Sequence, residues 1–423
     1  MDYTTLLKEQ QEEIQTLFQR RIIPREKLGE FQPLMSSHLI KVVTGIRRCG
    51  KSVFLHDALR SNIPYAYVNF DDERLVGLKA TDLNAILEAL LQVYPHAKTY
   101  YFDEIQNVLG WELFVNRLQR QGFQIYVTGS NAKLLSKELA THLTGRHLEM
   151  RLMPFSFREF LSYHHMELPK PKEPLTSHQI AEYMRLFKIF FDIGGFPEVV
   201  AGESSGIYLR NLFDHILMRD IVTRYHLRYA NQLKELARYL MNHPGIRFTY
   251  NSLNKTFQTK TVHTIQKYIE FFKETFLMYE LLQFDFKKKE QLKKPRKMYP
   301  CDLGMHRALG TESYHGEGRR LEMVILAHLL FEGYQVYYSH ISNSEIDFIS
   351  EKNGKVVSLI QACYSLQDAQ TAKREIQALE KGTKMFHCKK LYILTWNEED
   401  KISISKNLHI HVIPVWKWLL GII

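Results

Sequence analysis

The segment Gly45-Ile46-Arg47-Arg48-Cys49-Gly50-Lys51-Ser52 constrains this chain more than any other. The apolar run Leu39-Ile40-Lys41-Val42-Val43 precedes it and Val53-Phe54-Leu55 follows it, which reads as a strand, a tight glycine loop and a helix start. Gly45 and Gly50 permit backbone conformations that a side chain would block, so the amide N–H groups of such a loop can surround a polyphosphate at a helix N-terminus. Lys51 is then placed to reach the β- and γ-phosphates, and Ser52 offers a hydroxyl to Mg²⁺. The expected cradle comprises Gly45, Ile46, Arg47, Arg48, Cys49, Gly50, Lys51, Ser52 and Val53, and the expected ligands are ATP and Mg²⁺.

A chain of 423 residues is too long for one ordinary core and predicts two or three domains. No apolar segment approaches the roughly 20 residues that a bilayer span needs, so no membrane partner is expected. The opening MDYTTLLKEQQEEIQ is polar and acidic where a secretory leader is basic and then apolar, which predicts a cytoplasmic location. The four cysteines, Cys49, Cys301, Cys363 and Cys388, lack the spacing of a zinc knuckle or a redox pair, and disulfides are not expected. A formal net charge of +10 points to an anionic partner such as nucleic acid, or to a solvated lysine-rich surface.

Apolar runs alternate with helical patterns from Leu39 onward: Leu39 to Thr44, Tyr65 to Phe70, Thr99 to Phe102 and Phe123 to Thr128. That alternation predicts an α/β domain with a parallel sheet over 36–165, after an N-terminal helix and connector at 1–35. Residues 166–230 read as a helical lid interrupted by Gly194-Gly195-Phe196-Pro197. Over 231–302 three helices precede two strands joined by the basic tip Lys287 to Lys297, the order of a winged helix-turn-helix. In its third helix Val262, Ile265, Ile269, Phe272 and Phe276 form a buried stripe, with His263, Thr264 and Lys267 facing outward. Residues 303–423 read as a further compact α/β domain.

The third strand of the first domain ends in Asp103-Glu104, adjacent acids after an apolar run. Asp103 is expected to hold the Mg²⁺ that Ser52 touches, and Glu104 to orient or deprotonate the attacking water. The next strand ends in Thr128-Gly129-Ser130-Asn131, where Ser130 and Asn131 are candidate sensors of the γ-phosphate. Arg146, after a glycine, is a candidate finger for transition-state charge, alongside the alternative of a solvated surface arginine.

GIRRCGKS, YFDEIQ, TGSNAKLL, LTGR and MPFSFREF, in this order and spacing, resemble the prokaryotic family of AAA-type ATPases that carry a C-terminal domain of unknown function. The resemblance runs nearly end to end, with GGFPEVV, RDIVTRY and the EIDF segment as further marks. It implies an α/β fold: a P-loop NTPase core of the ASCE type, a helical lid, a winged helix-turn-helix and a C-terminal restriction-endonuclease-like domain. It assigns Gly45, Gly50, Lys51 and Ser52 to the phosphate loop and Asp103 and Glu104 to the acidic strand end. Arg47 and Arg48 match the family's arginine pair, which contacts nucleotide or a neighbouring subunit, or braces the loop through a salt bridge.

A nuclease of the implied type needs an aspartate on one strand and an acid-x-lysine on the next, with a glutamate often on the preceding helix. The corresponding positions are Asp347, Gln361-Ala362-Cys363 and Glu322. Gln361 brings no negative charge and Cys363 no ammonium, so the site is expected to be degenerate, unless a migrated residue such as Lys373 stands in. For the winged helix, DNA backbone contacts are expected from Lys287, Lys288, Lys289, Lys293 and Lys294.

These readings combine into a Mg²⁺-dependent ATPase acting as a switch or motor on DNA, with homo-oligomerisation open. The alternatives are a nucleotide-gated interaction scaffold that hydrolyses little, and an ATP-regulated nuclease.

Overall fold

Every side chain of the strands that carry the glycine loop and the paired acids is buried, as a sheet covered on both faces requires. The computed structural model describes residues 2–19, 21–60, 64–131, 147–170, 174–228, 230–310, 316–341 and 344–422. They form two compact units, 1–154 with 274–276 and 155–273 with 277–423.

In the first unit, helices α1 (Tyr3–Gln19) and α2 (Lys27–Met35) lead into β1 (Ile40–Thr44), α3 (Lys51–Arg60) and β2 (Tyr65–Asn69). Then come α4 (Leu83–Val93), β3 (Thr99–Asp103), α5 (Trp111–Arg120), β4 (Gln124–Gly129) and β5 (His147–Arg151). The five strands are parallel in the order β2-β3-β4-β1-β5. β4 therefore lies between the loop strand and the acid strand, with Val42 opposite Val127 and Tyr101 opposite Tyr126. Leu6 and Leu7 of α1 join the core that contains Ile86 and Leu90 of α4 and Phe102 of β3. Truncating such a fully buried leucine to alanine costs about 2–5 kcal/mol. Gln10 also ties α1 to the end of β2, its Nε2 donating to the Asn69 carbonyl at 3.2 Å and its Oε1 accepting from the Asn69 N–H at 3.0 Å.

The second unit opens with α6 (Phe157–Tyr163), α7 (Ser177–Ile193), α8 (Ser205–His215) and a wider π-helical stretch, Ile216–Thr223. Helix α9 (Ala230–Asn242), the short strand β6 (Arg247–Phe248), α10 (Tyr250–Phe257) and α11 (Val262–Glu274) precede the hairpin strands β7 (Met278–Gln283) and β8 (Arg296–Pro300). Ile265, Ile269 and Phe272 of α11 are fully buried, as their spacing predicts. After α12 (Leu303–Leu309) and α13 (Glu317–Phe331) come β9 (Gln335–Ile341), β10 (Ser344–Lys352), β11 (Lys355–Ala362), α14 (Ala369–Phe386), β12 (Leu391–Thr395), β13 (Asp400–Ser405), β14 (Leu408–Pro414) and α15 (Val415–Leu420).

One sheet of nine strands, in the order β13-β14-β12-β11-β10-β9-β7-β8-β6, runs through this unit. The hairpin expected to be the wing of a winged helix also pairs with the C-terminal strands, β7 running parallel to β9 with Leu282 opposite Tyr337 and Gln283 opposite Tyr338. The first strand of this hairpin ends at Gln283, four residues before the basic tip. β5 and β13 carry no apolar run in the sequence. They are short edge strands with mostly half-exposed or exposed side chains, and they take their structure from the neighbour they pair with. All four cysteines are buried, and among the described residues no disulfide joins them. Among the described residues no helix is long and apolar enough to cross a membrane.

Candidate active site

Three parallel strands deliver the site. β1 ends at Thr44 and gives way to the glycine loop, β3 ends in Asp103 with Glu104 following, and β4 ends at Gly129 before Ser130 and Asn131. The carboxyl ends of strands in such sheets are where ligands gather.

The loop turns on Gly45, whose φ is 150° and whose absent Cβ would stand 2.1 Å from the Leu152 carbonyl oxygen. Arg48 (φ 67°) and Gly50 (φ 94°) complete the turn, and α3 begins at Lys51. Ile46 and Cys49 are buried, Arg48 is exposed, and Ser52 and Val53 are half-buried. Arg25 anchors the loop from outside it: Nη1 donates to the Cys49 carbonyl at 2.9 Å and Nη2 to the Met153 carbonyl at 2.6 Å. Arg47 pairs with Asp71 at 3.1 Å, a loop-bracing salt bridge to the segment after β2.

Lys51 is buried, and its Nζ donates to the carbonyls of Gly45 and Ile46, both at 3.2 Å, while standing 3.5 Å from Glu104 Oε1. Glu104 adopts a left-handed backbone conformation (φ 50°), which costs on the order of 1 kcal/mol for a residue with a side chain. Three donors hold its other oxygen: the Ser130 N–H at 3.3 Å, the Ser130 hydroxyl at 3.1 Å and Gln106 Nε2. Burial pushes this carboxyl up, but the charges of Lys51 and then Arg47, with the Gln106 and Ser130 hydrogen bonds, pull it down to about 2. Glu104 is thus ionised at any physiological pH.

Asp103 differs from its neighbour. It is buried, accepts hydrogen bonds from the Thr128 hydroxyl and from Tyr67 Oη at 3.2 Å, and is also hydrogen-bonded by Ser52. Burial, followed by the Glu104 charge, raises its carboxyl above the usual range against the pull of Thr128, Ser52 and Lys51. The environments of two adjacent acids therefore push their proton affinities apart. Thr128 links the pair, since the Glu104 N–H donates to its Oγ1 at 3.0 Å.

Ser130 and Asn131 are both buried at the end of β4, and Ser130 touches Glu104 directly. Arg146 lies outside the described residues. Four contributors are absent from the sequence reading: Arg25, Tyr67, Gln106 and Thr128. Only Gln106 and Thr128 carried a signal, their closeness to the acid pair and to the end of β4; Arg25 and Tyr67 reach the site through tertiary folding alone.

In the second unit Glu322, Asp347, Gln361 and Cys363 do line one cleft of about 630 Å³, together with Glu345, Arg374 and Glu375. Gln361 Nε2 donates to Glu375 Oε2 at 2.5 Å and its Oε1 accepts the Asp347 N–H at 2.8 Å. Lys297 of β8, with Arg319 and Arg374, meets these acids, whereas Lys373 is exposed and does not line the cleft. Lys297 Nζ is 2.6 Å from Glu345 and 4.0 Å from Glu322, and Glu322 also accepts from Tyr299 Oη at 2.6 Å and pairs with Arg319 at 3.0 Å. Arg374 pairs with Glu375 at 2.7 Å. Burial, then the Glu322 charge, lifts the Asp347 carboxyl to about 8. Among the described residues, no group of three or more His, Cys, Asp or Glu side chains is arranged to hold a metal ion.

On α11, His263 and Lys267 are exposed, while Thr264 forms a cap with Thr261. At the hairpin tip Lys293 and Lys294 are engaged by Glu290 (2.9 Å) and Asp285 (2.6 Å), and Lys287, Lys288 and Lys289 are exposed.

Residues 37–161 match an AAA domain family and residues 184–315 a domain of unknown function, DUF8612. The uncharacterized protein MJ1544 of Methanocaldococcus jannaschii is 34% identical over 400 residues, which is 90% of this chain and 88% of that one. An uncharacterized protein of Haemophilus influenzae is 31% identical over 82% of this chain and 88% of its own length. Among solved structures, the Walker-type ATPase PABY2304 of Pyrococcus abyssi aligns over 68% of this chain and 96% of that one, at 15% identity and a TM-score of 0.45. Identity sustained over nine-tenths of the length, with the AAA match falling on the unit that carries the glycine loop, means that the chain belongs to a prokaryotic family of AAA-type P-loop ATPases shared with the Methanocaldococcus jannaschii protein.

Proposed function

We propose that the first unit hydrolyses ATP with Mg²⁺ and that the nucleotide state governs how the second unit engages DNA. The observation that carries this reading is the meeting of Lys51, Ser52, Asp103, Glu104 and Ser130 at the ends of three adjacent strands. Lys51 is the phosphate ligand, and its donors turn from the Gly45 and Ile46 carbonyls to the phosphate oxygens. Glu104 is the base, ionised and oriented by Ser130 and Gln106, and takes a proton from the attacking water at a carboxylate oxygen. Ser130 and Asn131 sense the γ-phosphate, and Arg146 is the candidate finger.

Ser52 and Asp103 suit a magnesium ion, because a hydroxyl and a buried carboxyl in mutual contact are the hard oxygen donors that such an ion takes alongside water and phosphate. When bound, the ion neutralises charge on the β- and γ-phosphates.

The second unit is proposed to hold a winged helix at 231–302, offering His263, Thr264, Lys267 and the hairpin lysines to DNA. Its C-terminal part is proposed to be a restriction-endonuclease-like domain without cleavage activity. Support comes from the helix–strand–strand–strand–helix–strand order of α13 through β12, and from the cations that already satisfy its carboxylates.

The deciding experiment measures ATP turnover with and without DNA and RNA, on protein whose mass in solution is known. Stimulation by a nucleic acid supports the switch or motor. Slow turnover that no nucleic acid changes would support the second reading, a nucleotide-gated scaffold.

A further inference from the structure

The hairpin tip between β7 and β8 exposes an aromatic ring where a purely electrostatic contact would need none. Phe286 is 70% exposed and Leu292 63%, on a segment whose other exposed side chains are charged. The ring is not loose. Phe284 meets it edge-on with centroids 5.2 Å apart, and Phe386 of α14 lies 6.2 Å away, so two buttressing aromatics hold the orientation of a ring that is otherwise open to solvent.

Its charged surroundings are one-sided. Asp285 and Glu290, the acids of the tip, are both occupied by Lys294 and Lys293. Lys287, Lys288 and Lys289, directly after Phe286, are exposed, with Lys287 close enough to Asp285 to share its charge with Lys294. Among the described residues of the tip, each acid is therefore held by a lysine.

We propose that this tip seats an unpaired nucleobase, stacked on Phe286, with the flanking phosphates on Lys287, Lys288 and Lys289. A fixed aromatic face beside exposed lysines is the combination that binds single strands, because every base has a π-face and every linkage a charge. The bases of a closed duplex offer no such face. A lipid surface would call for a broader apolar stripe than one phenyl ring and one leucine. The inference rests on the nucleic-acid reading above and narrows it to single-stranded or locally opened substrate.

The test uses the full chain and fluorescence anisotropy with labelled oligothymidylate, the matching single-stranded RNA and a blunt duplex, together with sedimentation on phosphatidylserine-containing vesicles. Phe286→Ala should weaken oligothymidylate binding about ten-fold and leave duplex binding unchanged, and Phe286→Trp should retain it. Replacing Lys287, Lys288 and Lys289 by glutamine should weaken every nucleic acid and lower the salt slope by about two. A wild-type denaturant midpoint of the second unit in Phe286→Ala reports that the variant is folded. If Phe286→Ala binds oligothymidylate as the wild type does, the stacking seat is refuted while the nucleic-acid reading stands. If the wild type binds none of the nucleic acids, both fall, and vesicle binding lost in Phe286→Ala would transfer the tip to a membrane.

Discussion

The ammonium group of Lys51 stands 3.5 Å from the Glu104 carboxylate, and the two side chains are 4% and 13% exposed. In the proposed site this makes the phosphate ligand and the base electrostatic partners before any phosphate arrives. A triphosphate that takes Lys51 away from Glu104 removes the charge that most depresses the Glu104 proton affinity. Nucleotide binding therefore makes Glu104 a stronger base, which is the direction catalysis needs.

Lys51→Ala should lower ATP turnover by a factor on the order of 10²–10³, since a charge aimed at the transferring phosphoryl group is lost. Steady-state phosphate release measures this. Turnover equal to the wild type would remove the phosphate-loop role.

Glu104→Gln should keep nucleotide affinity and lower the hydrolytic step by about 10²–10⁴, the usual contribution of a positioned base. Binding of a fluorescent ATP analogue, followed by single-turnover hydrolysis, separates the two effects. A variant that hydrolyses at the wild-type rate would dismiss Glu104 as the base.

Gly45→Ala should abolish nucleotide binding and also destabilise the first unit, because the added methyl would meet the Leu152 carbonyl oxygen at 2.1 Å. Overpacking of this kind costs about 1–3 kcal/mol where neighbours yield, and a backbone oxygen yields little. Titration calorimetry with ATP and a denaturant midpoint check the two parts.

His56 gives a pH prediction. It is buried on α3 with Nδ1 2.8 Å from Tyr65 Oη, and burial lowers its proton affinity to about 3 from an ordinary 6.5. The unfolded chain then binds a proton that the folded chain does not, so stability is intact above about pH 6.5 and falls as pH drops toward 3. Between pH 7 and pH 5 the loss from this residue is about 2 kcal/mol. Denaturant unfolding of His56→Gln should show a shallower acid dependence than the wild type, and parallel curves would contradict the assignment.

Lys297→Ala should destabilise the second unit by about 3–5 kcal/mol, because Glu345 and Glu322 would keep buried or half-buried charge without that partner. With its acids neutralised in this way, the wild type should leave supercoiled plasmid intact in Mg²⁺. Nicking that disappears in Asp347→Ala would show that the cleft cuts after all.

Local pattern was enough wherever a strand is buried on both faces or a helix repeats its apolar positions. β1, β3 and β4 stand within a residue of their expected limits. Lys297 could not be recognised in this way, since a lysine in a short strand acquires meaning only from the acids opposite it. The same holds for Glu375, which meets Gln361 across 14 residues of chain.

By itself the sequence determined the glycine loop, the acid pair, the alternation of strand and helix and the stripe on α11, because each depends on residues near one another in the chain. Tertiary structure alone decided that β7 joins β9, that Arg25 anchors the loop, and that Lys297 in place of Lys373 faces Glu322 and Glu345. Strand pairing and charge neutralisation are long-range interactions, and their energies depend on distances that only the folded chain sets.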